Sequence, residues 1–145
     1  LAAVVCGLAL LLLHSTAQSG LPAAFVPQCP SPWELSKLAF WPLLAAWVLT
    51  GRLGRERRTL LQDLPAAVLT PLAMTAACWG LAAAGGNGAA SLAVWAVLLA
   101  AGTAFCPDGR KHPGLWAALA LLLAGLYMLL TFTPPGWGPF VNPLG

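Results

Sequence analysis

Apolar residues run along this chain in five long stretches, and most of the polar residues fall between them. The stretches cover approximately 1–17, 33–50, 60–84, 89–105 and 115–132. Crossing about 30 Å of hydrocarbon takes roughly 20 mostly apolar residues, with about 17 sufficient, and each stretch meets or approaches that length. The breaks are made of turn chemistry. They are a segment with four prolines between Pro22 and Pro32, the basic run Arg52 to Arg58, Gly85-Gly86-Asn87-Gly88, and Pro107 to Pro113. The pattern predicts an all-α fold: a polytopic membrane helix bundle of about five transmembrane helices, forming one domain over 1–145. The first stretch has a rival reading. An apolar run followed by Ser15-Thr16-Ala17-Gln18-Ser19 resembles a signal peptide with a small-residue cleavage site. No basic residue precedes the run, which favours a retained helix.

Composition narrows the class. Of the 145 residues 59% are hydrophobic and 8% charged, against roughly 25% charged in an average soluble domain. Eleven Lys, Arg, Asp and Glu residues cannot cover a water-soluble domain of this size. In lipid the requirement reverses, with apolar side chains outward and charge in the loops. No basic surface with interleaved aromatics is present, so nucleic acid is excluded as a partner. Membrane lipid is the expected partner, with another membrane protein or a second copy of the chain as further ones. The four cysteines, Cys6, Cys29, Cys78 and Cys106, form no C-x-x-C, and a structural zinc or a thioredoxin-like motif has no support. A disulfide between Cys29 and Cys78 is open.

The basic residues set an orientation. Six of the seven Lys and Arg lie in two loops: Arg52, Arg55, Arg57 and Arg58, then Arg110 and Lys111. Five spans place both loops on one side, and the positive-inside rule makes that side cytoplasmic. The N-terminus is then inside and the C-terminus outside, in a cell inner membrane. Pro42, Pro65 and Pro71 fall within spans and are expected to kink them. Thr70 and Thr75 are placed to re-satisfy the backbone groups so freed. Trp33, Trp41, Trp79, Trp116 and Trp137 fall near expected membrane surfaces, where an interfacial anchor is the ordinary role.

This topology gathers polar residues at the outer face. His14, Ser15 and Thr16 end the first span, Glu34, Ser36 and Lys37 begin the second, and Thr131 and Thr133 close the fifth. Ionisable groups at membrane depth are costly and usually face a bundle interior or cavity. Glu34 and Lys37 are three apart, on one helix face. One reading is structural: a helix start capped by Ser31, with the acid in the first turn and a local ion pair. The other is functional, with Glu34 and His14 facing each other across two helices as an acid/base pair or a ligand site. His112 is expected on the opposite side, exposed, so two histidines do not meet to hold a haem. A catalytic zinc usually takes three protein ligands, and His14, Glu34 and Cys29 assemble into one only by conjecture. No cofactor or metal motif, and no G-x-S-x-G, H-E-x-x-H or phosphate loop, is present.

The stretch from Ser31 to Pro42 (SPWELSKLAFWP) resembles the signature of a family of small bacterial and archaeal multi-pass membrane proteins. Members carry a His at the end of the first helix, then a segment of the form E-S-x-W-E-H-x-K-L-x-F-x-P. A threonine, phenylalanine and double-proline motif precedes a short tail. His14 matches the first element. Ser31, Trp33, Glu34, Lys37, Leu38, Phe40 and Pro42 match the second, and Thr131-Phe132-Thr133-Pro134-Pro135, with Pro139-Phe140 and Asn142-Pro143, resembles the third. Pro30 stands where the pattern has Glu, and Leu35 where it has His. The resemblance implies the multi-pass architecture and a site at the outer face, and brings no activity with it.

The expectation is a polar pocket near the outer leaflet lined by His14, Trp33, Glu34, Lys37, Thr131 and Thr133. The leading function is non-enzymatic: ligand or lipid binding, or an accessory role in a membrane complex. An intramembrane enzyme using Glu34 or His14 as acid or base on a lipid-like substrate is the alternative. A transporter is a third reading, and so short a chain would need to oligomerise to form a pathway.

Overall fold

The computed structural model describes residues 31–52, 57–105 and 109–140, together with Phe25 and Pro27. His14 and the expected first span lie outside these residues. Among them the chain is helical throughout. Helix α1 is Pro32–Arg52, α2 is Arg57–Ala83, α3 is Gly88–Phe105 and α4 is Pro113–Phe132, with short 3₁₀ turns at Gly109–Lys111 and Gly138–Phe140.

Each boundary has a local cause. At α1, the Ser31 hydroxyl accepts from the Glu34 N–H at 3.2 Å, satisfying one of the orphan donors of the first turn. Pro32 occupies the first helical position, where a missing N–H costs nothing. Helix α2 ends in a Schellman motif. The N–H of Gly86 donates to the Leu81 carbonyl at 2.8 Å and that of Gly85 to the Ala82 carbonyl at 3.0 Å. Gly85 has φ +79°, a left-handed conformation that favours glycine. Asn87 then caps α3, its side-chain oxygen accepting from the Ala90 N–H at 3.0 Å. Pro42, Pro65 and Pro71 lie inside helices that continue past them. Thr75 donates to the Pro71 carbonyl at 3.0 Å, the ordinary back-bond of a helical threonine, rather than to the Ala67 carbonyl that Pro71 leaves without its N–H donor.

Two helical segments, Leu64–Ala83 and Pro113–Phe132, are long and apolar enough to cross a membrane. That is two among the described residues, against the five spans expected. Helix α1 carries Glu34 and Lys37 in its first two turns, and α3 contributes a shorter apolar segment, Ala89–Gly102, among the described residues.

The helices alternate in direction, and α2 packs against the other three. One cluster joins α1, α2 and α3 through Leu38, Leu43, Ala67, Met74, Trp95 and Leu99. Cys78 belongs to it as a free buried thiol, and Cys29, the other half of the open disulfide question, lies outside the described residues. A second cluster brings Trp47 of α1 and Leu64 of α2 to Trp116 and Ala120 of α4. A third, at the other end, brings Trp33 and Phe40 of α1 to Leu123 and Tyr127 of α4. Helices α1 and α4 are therefore antiparallel. The start of α1 and the end of α4 share one end of the bundle, and Arg52, Arg57 and the Gly109–Lys111 turn belong to the other.

Helices α2 and α3 approach closely at Gly102 of α3, where a Cβ would collide with the Thr70 side chain of α2. Thr70 was expected to re-satisfy backbone freed by proline. Instead its hydroxyl is buried against Gly102 without a hydrogen-bond partner among the described residues. The outer surface is apolar. Leu121 is 75% exposed and Phe105 86%, and Val97, Leu129, Leu49 and Leu72 add to the same surface from all four helices.

Candidate functional site

Polar chemistry concentrates inside the bundle, at the end shared by the start of α1 and the end of α4. Lys37 is completely buried, and Glu34 nearly so. One helical turn separates them, which places both on the same face. The Lys37 ammonium lies 2.7 Å from Glu34 Oε1 and donates to Oε2 at 2.8 Å. It also donates to the Thr131 hydroxyl of α4 at 2.6 Å. Thr131 has its own proton committed, donating to the Tyr127 carbonyl at 2.6 Å, so its oxygen is the acceptor for Lys37. The carboxylate, ammonium and hydroxyl thus form a charge-neutral unit tying α1 to α4.

A second hydrogen-bonded pair lies one turn away. Ser36 donates to the Trp33 carbonyl at 2.6 Å, and its oxygen meets the Tyr127 hydroxyl at 2.5 Å. With the serine proton directed to the carbonyl, Tyr127 is the donor in that contact. Tyr127 is also the hub of an aromatic cluster. Its ring centroid lies 4.6 Å from Trp33 and 5.0 Å from Phe40, and Trp33 continues to Phe140 at 5.3 Å. Aromatic pairs at such separations add to the stabilisation from burial alone.

A cleft of about 100 Å³ opens beside these groups. Ser31, Glu34 and Thr131 supply its polar lining, and Trp33, Leu130, Pro134 and Phe140 its apolar walls. Trp33 is 7% exposed, and its indole N–H has no acceptor among the described residues. The expected interfacial-anchor role for Trp33 is therefore replaced by a buried one: it is a wall between the aromatic cluster and the cleft. Trp79 and Trp137, by contrast, are exposed.

Of the residues singled out in the sequence, the fold brings Trp33, Glu34, Lys37 and Thr131 together. Glu34, Trp33 and Thr131 line the cleft, and Lys37 stands behind Glu34. Thr133 is not part of the group. It is exposed, and its hydroxyl turns back to the Leu129 carbonyl at 2.9 Å. His14 lies outside the described residues, and His112 is exposed near the opposite end, beside the Gly109–Lys111 turn. Tyr127 was missed. It is the chain's one tyrosine, four residues before Thr131 and so on the same helix face, and that spacing was the available signal. A comparison with protein-family models finds no match to the chain, and neither does a comparison with curated proteins or with solved structures.

Proposed function

We propose that this chain is an integral protein of the inner membrane that binds a small ligand in the cleft between the start of α1 and the end of α4. The observation that carries the reading is an inverted distribution of polarity. Lys37 is 0% exposed while Leu121 is 75% exposed. Water favours the opposite arrangement, and hydrocarbon favours this one. A buried ion pair is also a poor stability device, because desolvation offsets the Coulomb gain. Within a membrane such pairs usually mark a site, and this one borders a cleft.

In this reading the five apolar stretches each cross the bilayer, and the first, 1–17, completes the bundle. The basic loops face the cytoplasm and the cleft opens at the extracytoplasmic face. The positive-inside rule supports that orientation, because Arg52, Arg57 and the Gly109–Lys111 turn share the end opposite the cleft. The likeness to the family of small multi-pass membrane proteins belongs to the same proposal. Of the residues that carry the likeness, Ser31, Trp33, Glu34, Thr131, Pro134 and Phe140 line the cleft, and Lys37 stands behind Glu34. Glu34 is engaged by Lys37 through both carboxylate oxygens, which favours a binding role for it over that of a proton-transferring acid or base.

Native mass spectrometry of the protein gently released from its own membrane tests the reading. A stoichiometric small molecule is expected, and the double substitution Glu34→Gln with Lys37→Met is expected to lower its occupancy at least threefold. A protein carrying only lipid that exchanges freely, equally in both forms, would sink the proposal. A co-purifying protein without a small molecule would replace it with the accessory-subunit reading.

A further inference from the structure

The cleft is too small to enclose a whole ligand. Pockets that bury most of a drug-sized molecule measure roughly 300–1,000 Å³, and this one is about 100 Å³. It takes a group of a few heavy atoms, and the rest of the ligand must lie outside. Leu130, on the wall of the cleft, continues along α4 into Leu126 and Leu122, spaced four residues apart and thus on one ridge. Leu126 is 36% and Leu122 61% exposed, so the ridge leads from the cleft onto the open apolar surface. A polar head in the cleft with an apolar chain along this ridge fits both features.

The charge state of the head follows from the ion pair. Glu34 and Lys37 neutralise each other in a buried setting. An anionic head would meet the Glu34 carboxylate at the cleft wall. A cationic head would leave the site with an excess positive charge beside the buried Lys37. An uncharged head avoids both penalties, which are large for charges out of water. Its hydrogen-bonding groups are also set. A carboxylate oxygen accepts more than one hydrogen bond, so Glu34 can take a hydroxyl donor while held by Lys37. Trp33, another wall, holds a buried indole N–H without an acceptor among the described residues, and a buried donor of this kind calls for one. Hydroxyl donors beside an acceptor oxygen, on an uncharged head joined to an apolar chain, describe a glyceride: free glycerol hydroxyls next to an ester carbonyl.

We infer that the ligand of the cleft is an uncharged acylglycerol-type lipid, with its hydroxyls on Glu34, its ester oxygen on the Trp33 indole N–H and its acyl chain along Leu130, Leu126 and Leu122. This rests on the ligand-binding reading of the same cleft. The test is a competition in detergent, read by native mass spectrometry on the full chain. The probes are monooleoylglycerol, oleate and oleylamine, which share one type of chain, together with free glycerol. Monooleoylglycerol is expected to be retained about tenfold over either charged analogue, and glycerol not at all. Trp33→Phe keeps a ring in the wall and removes the N–H, and is expected to lower monooleoylglycerol retention about three- to tenfold, the worth of one hydrogen bond. Leu126→Gln, at an exposed position that leaves the core intact, is expected to weaken all three chain-bearing probes alike. Preference for oleate or oleylamine overturns the uncharged-head assignment and leaves ligand binding standing. Equal retention of glycerol overturns the role of the chain. Retention of none of the probes overturns this inference, while the binding reading is decided separately by what the protein carries from its own membrane.

Discussion

Lys37 is fully buried and Glu34 nearly so, and each charge is compensated by the other. Removing one member leaves an uncompensated buried charge, at a cost of about 3–5 kcal/mol, whereas removing both together is often close to neutral. Glu34→Gln and Lys37→Met alone are therefore each expected to lower the unfolding midpoint in detergent sharply. The double variant is expected to recover most of that loss. A double variant no more stable than the worse single would show that the pair does not act as a unit. The pair itself was legible in the sequence, because two residues three apart on a helix face each other whatever the rest of the chain does. Its third partner was not, since Thr131 lies 94 positions from Lys37 and only the antiparallel docking of α1 and α4 brings them together. The same holds for Trp33. Its position near a helix start suggested a surface anchor, and the arrival of Tyr127 and Phe140 from distant segments buries it instead.

Helices α2 and α3 depend on a small residue at one point. Gly102 lets the Thr70 side chain lie directly against the α3 backbone, and small residues allow close approach between helices in membranes, where van der Waals packing does much of the work. Gly102→Ala is expected to force the helices apart and to cost about 1–3 kcal/mol, the usual range for overpacking. A Cβ at Gly125 of α4 meets nothing within 4 Å, so Gly125→Ala is expected to be neutral or to stabilise by up to about 1 kcal/mol through helix propensity. Unfolding of the two variants side by side separates local packing from a general effect of glycine replacement. Equal effects would show that the Thr70 contact contributes nothing. Four helices were legible from their apolar lengths and their Pro and Gly borders. The Schellman turn at Gly85 follows from the Gly85-Gly86-Asn87 run. The Gly102 contact left no such trace: Gly102 is the one glycine inside the Ala-rich α3, and its spacing does not say which residue of which helix packs against it.

At the scale of the molecule, the apolar surface and the buried ion pair combine with the separation of the two ends. The cleft end carries Trp137, which is exposed, and the opposite end carries the exposed Lys111. If the bundle spans the inner membrane with its basic loops inside, these two positions lie on opposite sides. Each can be replaced by cysteine in a background whose four native cysteines are changed to alanine. A maleimide that cannot cross the bilayer, added to intact spheroplasts, is expected to label the Trp137→Cys variant and to spare Lys111→Cys until the membrane is broken. The reverse pattern would invert the orientation and put the cleft on the cytoplasmic side, where a ligand would have to come from the inner leaflet. Labelling of both in intact spheroplasts would place both ends outside, which no odd number of spans between them permits. Only α4 lies between Lys111 and Trp137. The experiment therefore reports directly on whether Pro113–Phe132 crosses the membrane, the step on which the proposed location of the cleft depends.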